Sequence, residues 1–158
     1  MATRAFIGVV VNPQDKGKTI EPNLELLGKA IHTQLIGSPE FHKTKINETT
    51  EVICIYHHND GSPCSLGETL LDEFNSYDKA LNLVSFGDAS TINGYSATFY
   101  NSWREGESWE NTKPTQYDSI DKYREMCDEP YTYIFKDDKW YVREWNEDWK
   151  ELEDIINY

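Results

Sequence analysis

The fold is decided by the stretch Tyr131-Thr-Tyr-Ile-Phe-Lys-Asp-Asp-Lys-Trp-Tyr-Val-Arg-Glu-Trp145. Residues Tyr131 to Phe135 and Trp140 to Trp145 alternate between apolar and polar side chains, a period of two that is typical of half-buried β-strands. The polar run Lys136 to Lys139 between them has the length and composition of a tight turn. The stretch therefore predicts a β-hairpin and favours a mainly antiparallel sheet.

Further strands are predicted on the N-terminal side of this hairpin. Ala5 to Val11 and Glu51 to His58 are apolar runs rich in β-branched residues, so both are expected to be buried strands. Ala97 to Trp103 predicts an aromatic strand, whereas Ala89 to Tyr95 is expected to be a loop.

Apolar residues at spacings of three and four predict helices over residues 24–35, from about Ser65, over 77–84, over 118–127 and in the tail from Asn146. Ser65 and Glu68 have the spacing of a capping box, and Ser76 is expected to cap the following helix. We therefore expect a single α+β domain over residues 1–158, with a mainly antiparallel sheet of four to five strands and three to five helices.

The charge of the chain restricts its partners. The sequence holds 28 acidic and 15 basic residues, a net charge of −13. That sign argues against direct nucleic-acid binding, which needs a basic surface, and against adsorption to an anionic membrane. The acidity either keeps the protein in solution or forms a face that meets a basic protein, as a DNA mimic would. It is concentrated in residues 105–158, so an acidic C-terminal face is expected.

Cysteines and apolar stretches indicate the compartment. The three cysteines, Cys54, Cys64 and Cys127, have no paired spacing, which predicts free thiols in a reducing cytosol, with Cys54 as inert core. Neither a signal-peptide core nor an apolar stretch of about 18 residues is present, so we expect no membrane association.

The first candidate site is the segment from Tyr56 to Gly67, in which a strand ends in His57 and His58 before a tight turn with Asp60 and Gly61. A helix that begins near Ser65 and Gly67 would present free backbone N–H groups to an anion or phosphate. The histidines or Asp60 could add hydrogen bonds or transfer protons. In the alternative interpretation, Asp60-Gly61 only makes the turn and Ser65 only caps the helix.

The second candidate site is the loop from Trp103 to Trp109, in which Arg104 lies between two tryptophans. Such a loop could bind a flat ring by stacking or a phosphate through the guanidinium. Alternatively, the tryptophans only pack on the sheet.

Other chemistry has no sequence support. The chain contains neither a glycine-rich phosphate loop nor a nucleophile elbow, so we assign no catalytic residue and no cofactor. Adjacent strand residues point to opposite faces, so His57 and His58 are not expected to share a metal.

Several fragments together resemble a group of small, acidic, functionally uncharacterised accessory proteins of tailed bacteriophages. The matching fragments are Arg4 to Gly8, Tyr56 to Pro63, Leu66 to Leu71, Leu81 to Asp88, Arg104 to Trp109, Tyr131, Tyr133, Lys139 and Trp140. Residues 12–50 depart from the group's pattern as an insertion, and Ser62 and Cys64 replace larger or acidic residues. The resemblance implies a phage product in the cytoplasm of an infected bacterium. It does not imply a catalytic activity.

Three functions are compatible with these observations. The first is a non-enzymatic counter-defence protein that sequesters a small nucleotide immune signal at the two candidate sites. The second is an acidic inhibitor that blocks a basic host protein. The third is a small nucleotide hydrolase that uses a histidine and Asp60. The oligomeric state stays open, and a homo-oligomer is compatible with the sequence.

Overall fold

The structure, a computed structural model, describes residues 2–32, 41–101 and 107–156. Its strands are β1 (Ala5–Val10), β2 (Thr19–Ile20), β3 (Thr44–Lys45), β4 (Val52–His57), β5 (Ala89–Ile92), β6 (Ala97–Phe99), β7 (Thr115–Tyr117), β8 (Tyr131–Lys136), β9 (Lys139–Glu144) and β10 (Lys150–Glu151). Its α-helices are α1 (Glu68–Glu73), α2 (Tyr77–Ser85), α3 (Trp109–Thr112), α4 (Ile120–Met126) and α5 (Leu152–Ile156). Short 3-10 segments cover Pro13–Asp15 and Leu24–His32, and a π-helical turn covers Pro63–Gly67.

The main sheet is mixed and has eight strands within the described residues, in the order β10-β9-β8-β1-β4-β5-β6 with β7 also on β4. The α+β class is confirmed, but the prediction of four to five mainly antiparallel strands is wrong. Strand β1 pairs in parallel with β8, from Ala5 opposite Tyr131 to Val9 opposite Phe135, and β4 meets β5 in parallel at His57 and Ala89. The hairpin of β8 and β9 lies as predicted, closed by Asp137 and Asp138 at positive φ.

The sheet is covered on both faces because side chains alternate along each strand. One face, with Ile7 and Ile55, belongs to a large core into which α1, α2 and α5 send side chains such as Leu70, Leu83 and Leu152. The other face, with Cys54, belongs to a smaller cluster that includes side chains of α4.

Two expected helices begin or continue differently in the structure. The segment from Leu24 is a 3-10 helix interrupted at Gly28, whose φ of 61° and ψ of −128° are not helical, and residues 33–35 lie outside the described residues. The helical segment before α1 begins at Pro63, with Ser62 at the N-cap, so Ser65 is inside it and the capping-box prediction is wrong. Proline favours the first helical position, which explains the earlier start.

Other local predictions have mixed outcomes. Ser76 caps α2 as expected, because its side chain accepts a hydrogen bond from the Lys79 N–H at 3.3 Å. The stretch expected to be a loop after Gly87 forms β5 instead. The tail contains β10 as well as α5, and its apolar residues go to both faces, since Trp149 packs in the smaller cluster and Leu152 in the larger.

No helix in the described residues is long and apolar enough to cross a membrane. In the region expected to be an insertion, β2 and β3 form a separate two-stranded sheet. Leu27 and Ile46 from this region are buried in the large core.

Candidate functional site

His57 is wholly buried at the end of β4. Its Nε2 accepts a hydrogen bond from the backbone N–H of Ile92 at 2.9 Å, and its Nδ1 finds no hydrogen-bond partner among the described residues. Burial lowers the pKa of the His57 imidazole from 6.5 to about 4, and the nearby His58 adds to the lowering. His57 is therefore neutral at pH 7 and links β4 to β5 inside the protein.

His58 lies on the opposite side of the chain from His57, next to Tyr56. The Tyr56 hydroxyl and the His58 Nδ1 are 2.7 Å apart, and the Tyr56 ring makes an edge contact with Phe6 at 5.7 Å between centroids. All three side chains are partly exposed. Of the two predicted histidines, His58 is thus the one that solvent reaches.

The turn after the histidines is closed by hydrogen bonds within the chain. Asp60 is exposed, with a φ of 55°, whereas Gly61 is buried. The Gly61 N–H donates to the Thr3 carbonyl at 2.8 Å, and the Gly61 carbonyl accepts from the Tyr133 hydroxyl at 2.7 Å.

The start of the following helical segment has few donors left for a ligand. The N–H groups of Ser65 and Gly67 both donate to the Ser62 carbonyl, at 3.0 and 3.2 Å, and the Leu66 N–H donates to the backbone carbonyl of Asp60 at 3.3 Å. An anion at this turn would have to compete with these bonds. The sequence-based reason for an anion site, free N–H groups at Ser65 and Gly67, therefore finds no support in this geometry.

Of the second candidate site the structure describes Trp109, whereas Trp103 and Arg104 lie outside the described residues. Trp109 begins α3 and stacks on His42, with ring centroids 4.8 Å apart and planes 11° from parallel. The residues that flank the loop are held together, since the Glu107 N–H donates to the Tyr100 carbonyl at 2.9 Å and the Tyr100 N–H to the Asp88 carbonyl at 3.0 Å. The base of the loop is therefore next to Asp88.

Asp88 connects this base to the Tyr56–His58 pair. Its carboxylate accepts a hydrogen bond from the Tyr56 backbone N–H at 2.9 Å. Burial raises the pKa of the Asp88 carboxyl from 3.8 to about 6, and the bond from Tyr56 partly opposes the rise. Sequence reasoning missed Asp88, because a Gly-Asp pair after a helix indicates a stop signal and gives no sign of burial.

Replacement of Asp88 by asparagine is expected to stabilise the protein at neutral pH. Because the pKa of Asp88 is raised in the folded state, the stability that Asp88 contributes is complete below pH 3.8 and is lost as the pH rises through about 6. Asparagine keeps the acceptor for Tyr56 and carries no charge. Allowing for partial solvent exposure, Asp88→Asn should raise the free energy of unfolding by about 1–2 kcal/mol at pH 7 and hardly change it at pH 4.

Urea denaturation at the two pH values measures this difference. The control variant is Asp128→Asn, which removes the same charge from an exposed side chain. If Asp88→Asn were equally stabilised, or destabilised, at both pH values, this would contradict a raised pKa for the Asp88 carboxyl.

A groove of about 660 Å³ is lined by residues of β8, β9, β10 and α5 and by Pro63. Pro63, Tyr131, Val142 and Ile155 give it an apolar part. Its charged side chains are four carboxylates and one ammonium group, from Glu144, Glu147, Glu151, Asp154 and Lys150.

Part of the groove's negative charge has no ion-pair partner in the described part of the chain. Lys150 reaches Glu147 at 3.5 Å, and Lys139, outside the groove, pairs with Glu151 at 2.9 Å. Glu144 and Asp154 make no ion pair with any described residue. The groove is therefore a negatively charged hollow with an apolar wall.

Two other hollows are also rich in carboxylates. One, of about 400 Å³, contains Glu68, Asp72 and Glu153. The other, of about 480 Å³, contains Asp121, Glu125 and Asp128 together with Arg124 and Arg143. Among the described residues no group of three or more histidine, cysteine, aspartate or glutamate side chains is arranged to hold a metal ion.

No protein-family model, curated protein or solved structure matches this chain.

Proposed function

We propose that this chain is a non-enzymatic acidic binding protein and that its groove takes a basic segment of a partner protein. The observation that supports this most is the composition of the groove, in which four carboxylates and one lysine surround an apolar wall. Lysine and arginine side chains match both parts, because their aliphatic stems bury against apolar surface while their charged ends meet carboxylates.

The volume of the groove and the net charge of the protein support the same kind of partner. A volume of about 660 Å³ holds a few side chains rather than a whole domain surface. The net charge of −13 attracts a basic partner over longer distances and repels anionic competitors. The resemblance to the phage group extends the proposal to a host protein of an infected bacterium, blocked where it would otherwise bind an acidic polymer.

Neutralising Glu144 and Asp154 should weaken this binding. We expect Glu144→Gln/Asp154→Asn to raise the Kd for a peptide rich in lysine, arginine and leucine about tenfold, because each lost surface charge removes roughly 0.7 kcal/mol. Isothermal titration calorimetry at low salt measures the change, and added salt should weaken the wild-type interaction.

Glu21→Gln/Glu25→Gln is the matched control, since it removes the same charge from two exposed residues outside the groove. The control should keep most of the wild-type affinity. Equal weakening of both double variants would show that net charge, and not the groove, is responsible.

A nucleotide-binding function is the second candidate, and the observation in its favour is the position of His58. The Tyr56–His58 pair is joined through Asp88 to Tyr100 and Glu107, and Arg104 falls between these two in the sequence but outside the described residues. Thermal-shift measurements with cyclic and linear nucleotides test this candidate, with Arg104→Ala as the variant. Stabilisation of wild type but not of the variant would favour it, and analysis of the nucleotide afterwards would detect hydrolysis.

A further inference from the structure

Cys54 and Cys127 come together in the smaller cluster although they are far apart in sequence. Cys54 lies in the middle of β4, and Cys127 follows the last residue of α4. Each is about 1% exposed, and neither is in a disulfide. Both belong to the same cluster of five buried residues, and the neighbouring Cys127 thiol together with burial holds the pKa of Cys54 well above its usual value.

The backbone around the two thiols places α4 directly over the sheet. The Tyr123 hydroxyl donates to the Tyr133 carbonyl at 2.7 Å, and the Thr132 hydroxyl donates to the Cys127 carbonyl at 3.3 Å. Cys54 is opposite Gly8 in the adjacent strand β1, and Gly8 is where the Tyr123 ring packs. The same few residues therefore fix the distance between α4 and Cys54.

Helix α4 is held by a small interface. Within its seven residues Tyr123 is the buried one, and the remaining side chains are partly or fully exposed. Short surface helices with little buried area open locally at a lower free energy than the whole fold. Such an opening would expose both thiols without unfolding the sheet.

We propose that Cys54 and Cys127 form a redox-active dithiol that closes to an intrachain disulfide and fastens α4 to the sheet. The oxidant is a low-molecular-weight disulfide such as oxidised glutathione. In the open state one cysteine loses its proton to water and attacks this disulfide, which forms a mixed disulfide and releases one small thiolate. The second cysteine, also deprotonated, attacks the protein sulfur and expels the second small thiolate.

The step balances, because the two released thiolates take up the two protons and the small disulfide is reduced while the protein dithiol is oxidised. The new bond closes a long loop of the chain, and such bonds restrict the unfolded state. The oxidised protein should therefore unfold at a higher urea concentration than the reduced protein. The inference is independent of the acidic groove, which lies elsewhere on the molecule.

The experiment uses the full chain with Cys64→Ser, because Cys64 is exposed and would react on its own. The folded variant is incubated with oxidised glutathione, alkylated and analysed by mass spectrometry. We expect the two thiols to disappear together, an intrachain cross-link between the peptides that contain Cys54 and Cys127, and a higher urea midpoint.

Single variants Cys54→Ser and Cys127→Ser, each combined with Cys64→Ser, are the controls and should give at most a glutathione adduct. Two free thiols that persist in the folded protein, under conditions that fully oxidise the urea-unfolded chain, would overturn the proposal. Separate glutathione adducts on both cysteines, or a cross-link only between molecules, would overturn it equally.

Discussion

Replacement of Gly8 by alanine is expected to lower the free energy of unfolding by about 3 kcal/mol, a large loss for one methyl group. A Cβ at Gly8 would lie 2.6 Å from Cζ of Tyr123 and 2.8 Å from both its Cε2 and its Oη. The ring cannot move away easily, since it is fully buried and its hydroxyl is bonded to the Tyr133 carbonyl. Urea denaturation at pH 7 measures the loss.

Two further variants separate this clash from a general effect of alanine. Gly94→Ala is the control, because nothing lies within 4 Å of a Cβ at that position, and it should change stability little. Tyr123→Leu makes room, so the double variant Gly8→Ala/Tyr123→Leu should lose less than the sum of the two single losses. Additive losses would mean that Tyr123 does not pack against Gly8.

Acidification from pH 7 to pH 4 is expected to cost about 3 kcal/mol of stability through His57 alone. The pKa of His57 is about 4 in the folded protein, against 6.5 for an ordinary histidine. Between these values the unfolded chain binds a proton that the folded chain does not. The stability that neutral His57 contributes is therefore complete above about pH 6.5 and is lost as the pH falls towards 4.

The contribution of His57 is best measured in an Asp88→Asn background, because Asp88 changes stability in the opposite direction between pH 3.8 and 6. His57→Gln keeps an acceptor for the Ile92 N–H but does not titrate. The loss of stability between pH 7 and pH 4 should be smaller by about 3 kcal/mol when glutamine replaces the histidine in this background. Equal losses in both proteins would contradict a neutral, buried His57.

The parts of the fold that the sequence predicts well are those determined by neighbouring residues. The hairpin of β8 and β9 is confirmed because its alternation and its polar turn are both local. The cap of α2 is confirmed for the same reason, since Ser76 and its partner Lys79 are three residues apart. Strands β1 and β4 are long apolar runs whose burial on both faces is visible in their composition.

The arrangement of the sheet depends on contacts that no local pattern contains. The parallel pairing of β1 with β8 joins segments that are far apart in the sequence. The residues of a strand do not indicate which other strand it pairs with. Strands β5, β7 and β10 have two to four residues each, too few to show an alternation. The prediction of a smaller antiparallel sheet failed for these two reasons.

The candidate site could be predicted only in part. The sequence pointed to His57 and His58 on opposite faces, but not to the burial of His57 or to the bonds that occupy the turn. Asp88 was missed, because its burial depends on distant parts of the chain. The acidity of residues 105–158 was expected, but the groove was not, because residues of several separate elements form it. Ligand binding by Trp103 and Arg104 stays a prediction, and both residues lie outside the described part of the chain.

The most direct test of a basic partner in the acidic groove is a titration of ¹⁵N-labelled protein with the lysine- and arginine-rich peptide, followed by backbone chemical shifts. We expect the shift changes to concentrate at Tyr131, Glu144, Glu147 and residues 150–155, which line the groove. They should be strongly reduced in Glu144→Gln/Asp154→Asn. Shift changes confined to Tyr56, His58 and Asp88, or none at saturating peptide, would contradict the proposal.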